Sequence, residues 1–314
     1  MTNKFLDNVK QGKNNFWRYI LTSVMSFGVA EFIAVFFLMI FIVFQHIFIG
    51  SFDLDSVLYA VENYDSNIVT YFIAILFSFS MYAFFLAIFL EIIHKRKVMS
   101  LVNTVEKYDV YGRMRTWIER IRWNRFFKGF LIWSLFIIII EIIAFILYPQ
   151  DFIFSLNLEN FVFLLILFLI AIPIQVTYEE LFFRGYLNQG LSLKIKNPFV
   201  IITISSLIFG FAHWFNGNDE LSIMLHVSSA FIVGIIWSIA TLLDNGIEWA
   251  TGAHLANNFF AFVIVGEYGG EANFGTLVSV VESDPFLSLI FSTITLLGFL
   301  IIFLVYNKEK VLKL

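Results

Sequence analysis

The sequence predicts an all-α polytopic membrane protein with about eight transmembrane helices and both termini cytoplasmic. Three observations lead there. First, 60% of the 314 residues are hydrophobic and only 14% are charged, against roughly a quarter charged in an ordinary soluble domain. Second, apolar runs of roughly 20 residues recur along the chain, the length a helix needs to cross a bilayer. Third, the basic residues partition. All 20 Lys and Arg fall before the first apolar run, between the second and third, just after the fourth, or in the tail. With eight spans they all lie on one side, which the positive-inside rule makes the cytoplasm. Seven or nine spans would break that partition.

The spans are expected at about 19–49, 68–93, 129–149, 160–178 (or on to 190), 197–215, 222–244, 247–266 and 286–307. The first follows Lys4, Lys10, Lys13 and Arg18. It is too long for a signal-peptide core and is expected to remain as an anchor. The loop at 50–67 holds only acids, Asp53, Asp55, Glu62 and Asp65, and the loop at 267–285 likewise, Glu267, Glu271, Glu282 and Asp284. The 95–128 connection is polar and strongly basic. Its stretch RMRTWIERIRWNRFFKGF reads as a basic amphipathic helix with Trp117, Trp123 and Phe126 at headgroup level. On this basis residues 1–128 form an N-terminal two-helix membrane region with that cytoplasmic connection, and 129–314 form a membrane core. On these observations lipid is the expected partner. No folded nucleic-acid reader is visible.

With no cysteine in the chain, disulfides, thiol nucleophiles and cysteine-held metals are excluded. The 41 phenylalanines are expected to be lipid-facing bulk. Ionisable residues inside spans are costly and are functional candidates by default. They are Glu31, Glu141, Glu179, Glu180, His213, His226 and His254, with Asn257 and Asn258 beside the last. Glu31, Glu141 and His226 each stand alone in sequence and are expected to be structural.

The others fall into three motifs on neighbouring spans: EELFFR (Glu179, Glu180, Arg184), FGFAH (Phe209, His213) and HLANN (His254, Asn258). A spacing of four puts both ends of a motif on one helix face. Adjacent residues point about 100° apart, so Glu179 and Glu180 cannot face one centre equally. Arg184 lies four residues after Glu180, in the favourable order for an ion pair, so Glu180 is expected to brace the helix. Glu179 is left to face a cavity as a base. Pro173 is expected to kink the helix upstream. A rise of 1.5 Å per residue lets Glu179, His254 and Asn258 share a depth in the cytoplasmic half of the bilayer, with His213 the awkward member.

A carboxylate and an imidazole can hold and deprotonate a water, and a second imidazole with a carboxamide can donate to a developing oxyanion. Together they suit attack of water on an amide. The rival chemistry is a zinc site of Glu179, His213 and His254, without the H-E-x-x-H signature. Spacing alone also fits a buried polar network that only ties three helices together.

The ordered set of motifs, over about 160–266, resembles the CPBP family of CAAX proteases and bacteriocin-processing enzymes, also called Abi. The resemblance implies an intramembrane glutamic endopeptidase with no cofactor, acting on a peptide or membrane-protein substrate. In that family pattern Glu179 is the general base, His213 helps to hold the water, and His254 and Asn258 form the oxyanion hole. Asn257 lies on the same side as Asn258, but the motif spacing favours Asn258. The family also contains bacteriocin-immunity or regulatory proteins that act by binding, and that reading stays open, as does zinc. A secondary transporter would show a repeat between the two halves, and none is found. The substrate, including whether it is lipidated, is not legible. A bacterial cell membrane is the expected location.

Overall fold

Each expected span is helical in the computed structural model, which describes residues 3–50, 53–154, 156–217, 219–267, 275–281 and 285–308. The helices are α1 (Phe16–Phe48), α2 (Ile68–His94), α3 (Trp123–Leu147), α4 (Leu158–Glu179), α5 (Pro198–Ala212), α6 (Glu220–Asp244), α7 (Glu248–Phe259) and α8 (Pro285–Tyr306). Among the described residues, seven helical segments are long and apolar enough to cross a membrane. The protein is therefore an integral membrane protein. Lys310 and Lys313 of the tail, and Glu271, Glu282 and Asp284 of the acidic loop, lie outside the described residues.

The segment missing from those seven is α7, and its surroundings explain why. It continues as a π-helical turn over Phe260–Ile264 but is short, and it contains Glu248, His254, Asn257 and Asn258. An apolar surface is needed only where a helix meets lipid. Here α7 is walled by α3, α4 and α6. Trp249, Ala250, Ala253 and Ala256 are fully buried. Small residues let the backbones close up. A Cβ on Gly252 would collide with the carbonyl oxygen of Phe126, and one on Gly129 with that of Trp249. These two glycines seat α7 on α3.

Around this centre, α1 and α2 form an antiparallel hairpin, α2 packs on α4, and α4 on α7. On the other flank α8 lies against α3 and α6, and α5 against α6. Trp133, Trp237, Trp249, Phe299 and Phe303 fill the α3–α6–α7–α8 interior. Phe72, Phe168, Ile172, Val176 and Val263 join α2, α4 and the end of the α7 segment. At one end a three-stranded sheet, in the order β1 (Phe152–Phe154), β3 (Val278–Val280), β2 (Val265–Glu267), ties the chain before α4 to the chain after α7.

The basic connection differs from the expected surface helix. Its helical turns before α3 are Met99–Val102 and Trp117–Arg120, and Trp123–Lys128 of the expected helix form the start of α3. A capping box of Thr116 and Glu119 starts the second turn, but Ile121 and Arg122 leave helical geometry before α3 begins. The reason is the basic side chains, several of which turn inward. Arg96 is buried and donates to the Tyr19 hydroxyl (2.6 Å), Gln189 Oε1 (2.6 Å) and Ser100 Oγ (3.0 Å). Arg122 pairs with Glu248 at 2.5 Å and Asp244 at 3.1 Å. Burial lowers the Arg122 guanidinium and Glu248 and Asp244 more than offset it, so its pKa is raised. The connection is thus a strap fastened to the α6–α7 turn. Trp117 and Trp123 are exposed, and Phe126 is half-buried.

Candidate active site

The helix of α4 runs through Pro173 to Glu179, and its regular spacing changes only at Glu180. Residues Glu180–Leu187 are π-helical, with i→i+5 hydrogen bonds in place of i→i+4. The whole stretch is inside the protein. Tyr178, Glu179, Glu180 and Arg184 are all buried.

The expected Glu180–Arg184 ion pair is present, Nη1 to Oε1 at 3.1 Å. The guanidinium is also held over the ring of Phe209, 4.1 Å from its centroid, and lies 5.3 Å from that of Trp237. Two aromatic faces are a favourable setting for a buried cation.

His254 of α7 sits between the two glutamates. Its Nδ1 is 2.8 Å from Glu180 Oε1 and its Nε2 is 3.7 Å from Glu179 Oε2. Nδ1 and Glu180 Oε1 share a hydrogen bond. The imidazole lies against Trp237 at 4.7 Å between centroids. Gln175, one turn before Glu179, donates to its Oε1 at 3.2 Å. Asn258 is buried one turn beyond His254, and the Asn257 amide donates to Asn258 Oδ1 at 3.4 Å.

The structure thus brings Glu179, Glu180, Arg184 and His254 together, with Asn258 next along α7. It does not bring in His213. That residue ends α5, its Nδ1 lies 2.8 Å from the Phe209 carbonyl, and its ring packs on Phe209 at 4.6 Å. No hydrogen bond or ion pair joins it to Glu179 or His254 among the described residues; the Phe209 ring lies 6.3 Å from that of His254. Likewise, no three His, Asp or Glu side chains among the described residues are grouped as a metal site. The zinc set of Glu179, His213 and His254 is therefore not assembled.

Sequence spacing missed the Glu180–His254 hydrogen bond, which links residues on different helices. Gln175 and Trp237 also escaped it. The position of Gln175 four residues before Glu179 was a readable signal; nothing local marks Trp237. Elsewhere, Glu31 accepts a hydrogen bond from the Tyr82 hydroxyl, Glu141 is half-buried, and His226 is exposed.

These helices coincide with a known family. Residues 158–260 match the family model described as type II CAAX prenyl endopeptidase Rce1-like. This region is Rce1-like. It begins at the first residue of α4 and closes just after Asn258, so all three motifs fall within the Rce1-like stretch. The family model's description is that of an endopeptidase, so the similarity is to a protease family. Over nearly its whole length the chain is also similar to an uncharacterised protein of Bacillus subtilis strain 168, YyaK. The two are 28% identical over 307 residues, which cover 96% of this chain and 95% of that one. No solved structure matches the chain.

Proposed function

We propose that the Rce1-like region is a glutamate-type intramembrane endopeptidase that hydrolyses peptide bonds in membrane or lipidated peptides. The observation that supports this best is His254 set between Glu179 and Glu180, inside the bundle, on two helices packed together. Glu179 takes a proton from water as the water oxygen attacks the scissile carbonyl carbon. The carbonyl π electrons move to oxygen, and His254 Nε2 and the Asn258 amide donate to that oxyanion. On collapse the C–N bond breaks and the proton held by Glu179 goes to the leaving amine. Glu180 orients the imidazole through Nδ1.

His213 enters this reading at the rim of the site, one aromatic ring away, where it can meet the water when substrate is bound; catalytic contacts often tighten only in the substrate complex. Both termini are proposed to be cytoplasmic, in a bacterial cell membrane, from the distribution of Lys and Arg. The reaction as written needs no cofactor.

The test uses the purified protein in bilayers against a panel of membrane-embedded and lipidated peptides. Glu179→Gln and His254→Ala are each expected to slow cleavage by about 10²-fold or more, and a chelator to leave it intact. Cleavage undiminished in both variants sinks the enzymatic assignment. Loss of activity with chelator, restored by zinc, replaces the glutamate mechanism with the metal one. A cellular phenotype that survives Glu179→Ala favours a binding role.

A further inference from the structure

Glu31 is the one acidic side chain of the α1–α2 hairpin set deep in the membrane, and the site described above does not use it. It is the sixteenth residue of α1, roughly 22 Å along the axis from Phe16 and 26 Å from Phe48. Lipid headgroups do not reach that depth. Intramembrane carboxylates ordinarily face the bundle interior or a partner, yet Glu31 is exposed on the outer face of α1. Tyr82 of α2 donates to its Oε2. Its Oε1 has no partner among the described residues.

The surface around it is shaped for a helix. Gly28, one turn earlier, is exposed, and a Cβ built on it would meet nothing within 4 Å. Val24, Phe32 and Val35 are exposed on either side. Small residues beside a polar group allow close helix approach in lipid. Among the spans, α1 packs chiefly on α2, so this face is open.

We propose that Glu31, Tyr82 and the Gly28 notch form a docking site for a transmembrane segment of another protein that carries Lys or Arg near its midpoint. Charge complementarity selects that occupant. At this depth a carboxylate is best matched by an ammonium or guanidinium on a second span. A second copy of this chain does not supply one. Arg184 is buried and paired, and the other basic residues of the described spans, Arg18, Arg125 and Lys128, lie within the first two turns of theirs. The site also backs onto the catalytic helix. Tyr82 lies 5.3 Å from the ring of Tyr178, the residue before Glu179. Phe27, one turn before Glu31, packs on both Tyr178 and Phe182.

The experiment measures energy transfer in liposomes between the labelled full-length protein and synthetic polyleucine peptides of about 24 residues with Lys, Leu or Glu at the centre. The Lys peptide is expected to associate about tenfold more tightly than the Leu peptide. Glu31→Gln, which keeps the shape and the Tyr82 contact, is expected to remove that preference. Gly28→Leu is expected to weaken Lys-peptide binding with Glu31 intact. The proposal is overturned if Lys and Leu peptides bind within about twofold of each other, or if the preference survives in Glu31→Gln. It is also overturned if Glu31→Gln instead lowers association between two copies of this protein. None of these readouts uses proteolysis, so the result stands apart from the endopeptidase assignment.

Discussion

Two charged clusters touch α7, and they are built differently. At its first turn, Glu248 takes the Arg122 side chain, the Arg122 backbone N–H and the Asn103 amide, while Asp244 takes Arg122 and the more distant Arg125. The second lies six residues on, at His254. It has the same ingredients, two carboxylates and two basic groups, but pairs them less completely. Glu179 Oε2, Glu180 Oε2 and the guanidinium nitrogens of Arg184 have no well-aligned hydrogen bond within the protein, despite being buried; in the first cluster Arg125 Nη1 shares that state, but both Glu248 oxygens are engaged. Buried polar groups are nearly always satisfied. The first cluster holds two chain segments together. The second keeps polar capacity in reserve, as a site that must receive a water and a peptide group would.

The largest effect should come from the cluster with that reserve. Glu179→Gln is expected to lower peptide cleavage by about 10³-fold with little change in thermal stability, measured as turnover beside a melting curve. His254→Ala should cost about 10²-fold in turnover. Glu180→Gln separates two roles. It should slow cleavage and also destabilise the protein by about 3 kcal/mol, because Arg184 is left buried without its counter-ion. Adding Arg184→Met should recover stability but not activity. Glu180→Gln with unchanged stability would contradict the ion-pair geometry. Arg122→Ala, in the first cluster, should reverse the pattern, losing about 2 kcal/mol of stability and only severalfold in turnover. If Arg122→Ala instead abolishes turnover in a folded protein, the contrast between the clusters fails. Lys97→Ala, at an exposed pair with Glu91, should change neither melting nor turnover measurably.

Much of this was legible in the chain. Long apolar runs placed the helices to within a few residues at most ends, because hydrophobic length is a local property. The Glu180–Arg184 pair was readable for the same reason, as both groups lie on one turn. What escaped was set by packing between helices. The hydrogen bond between His254 and Glu180 depends on how α7 crosses α4. The π-helical stretch has no signature in Glu180–Leu187 alone. His213 has the motif spacing, yet α5 ends at Ala212 and leaves it beside Phe209. The basic connection misled because composition favoured a surface helix, whereas Arg96 and Arg122 had partners inside.

The length of α1 has a consequence of its own. Its 33 residues extend roughly 50 Å, against about 30 Å of hydrocarbon in an average bilayer. A rod that long must lean or stand proud of the membrane, and the choice depends on membrane thickness. In thin membranes it leans further, and in thick ones it straightens. Bilayer thickness therefore acts on the angle of the one helix that presents Glu31, and lipid composition becomes a setting of this protein as well as its surroundings.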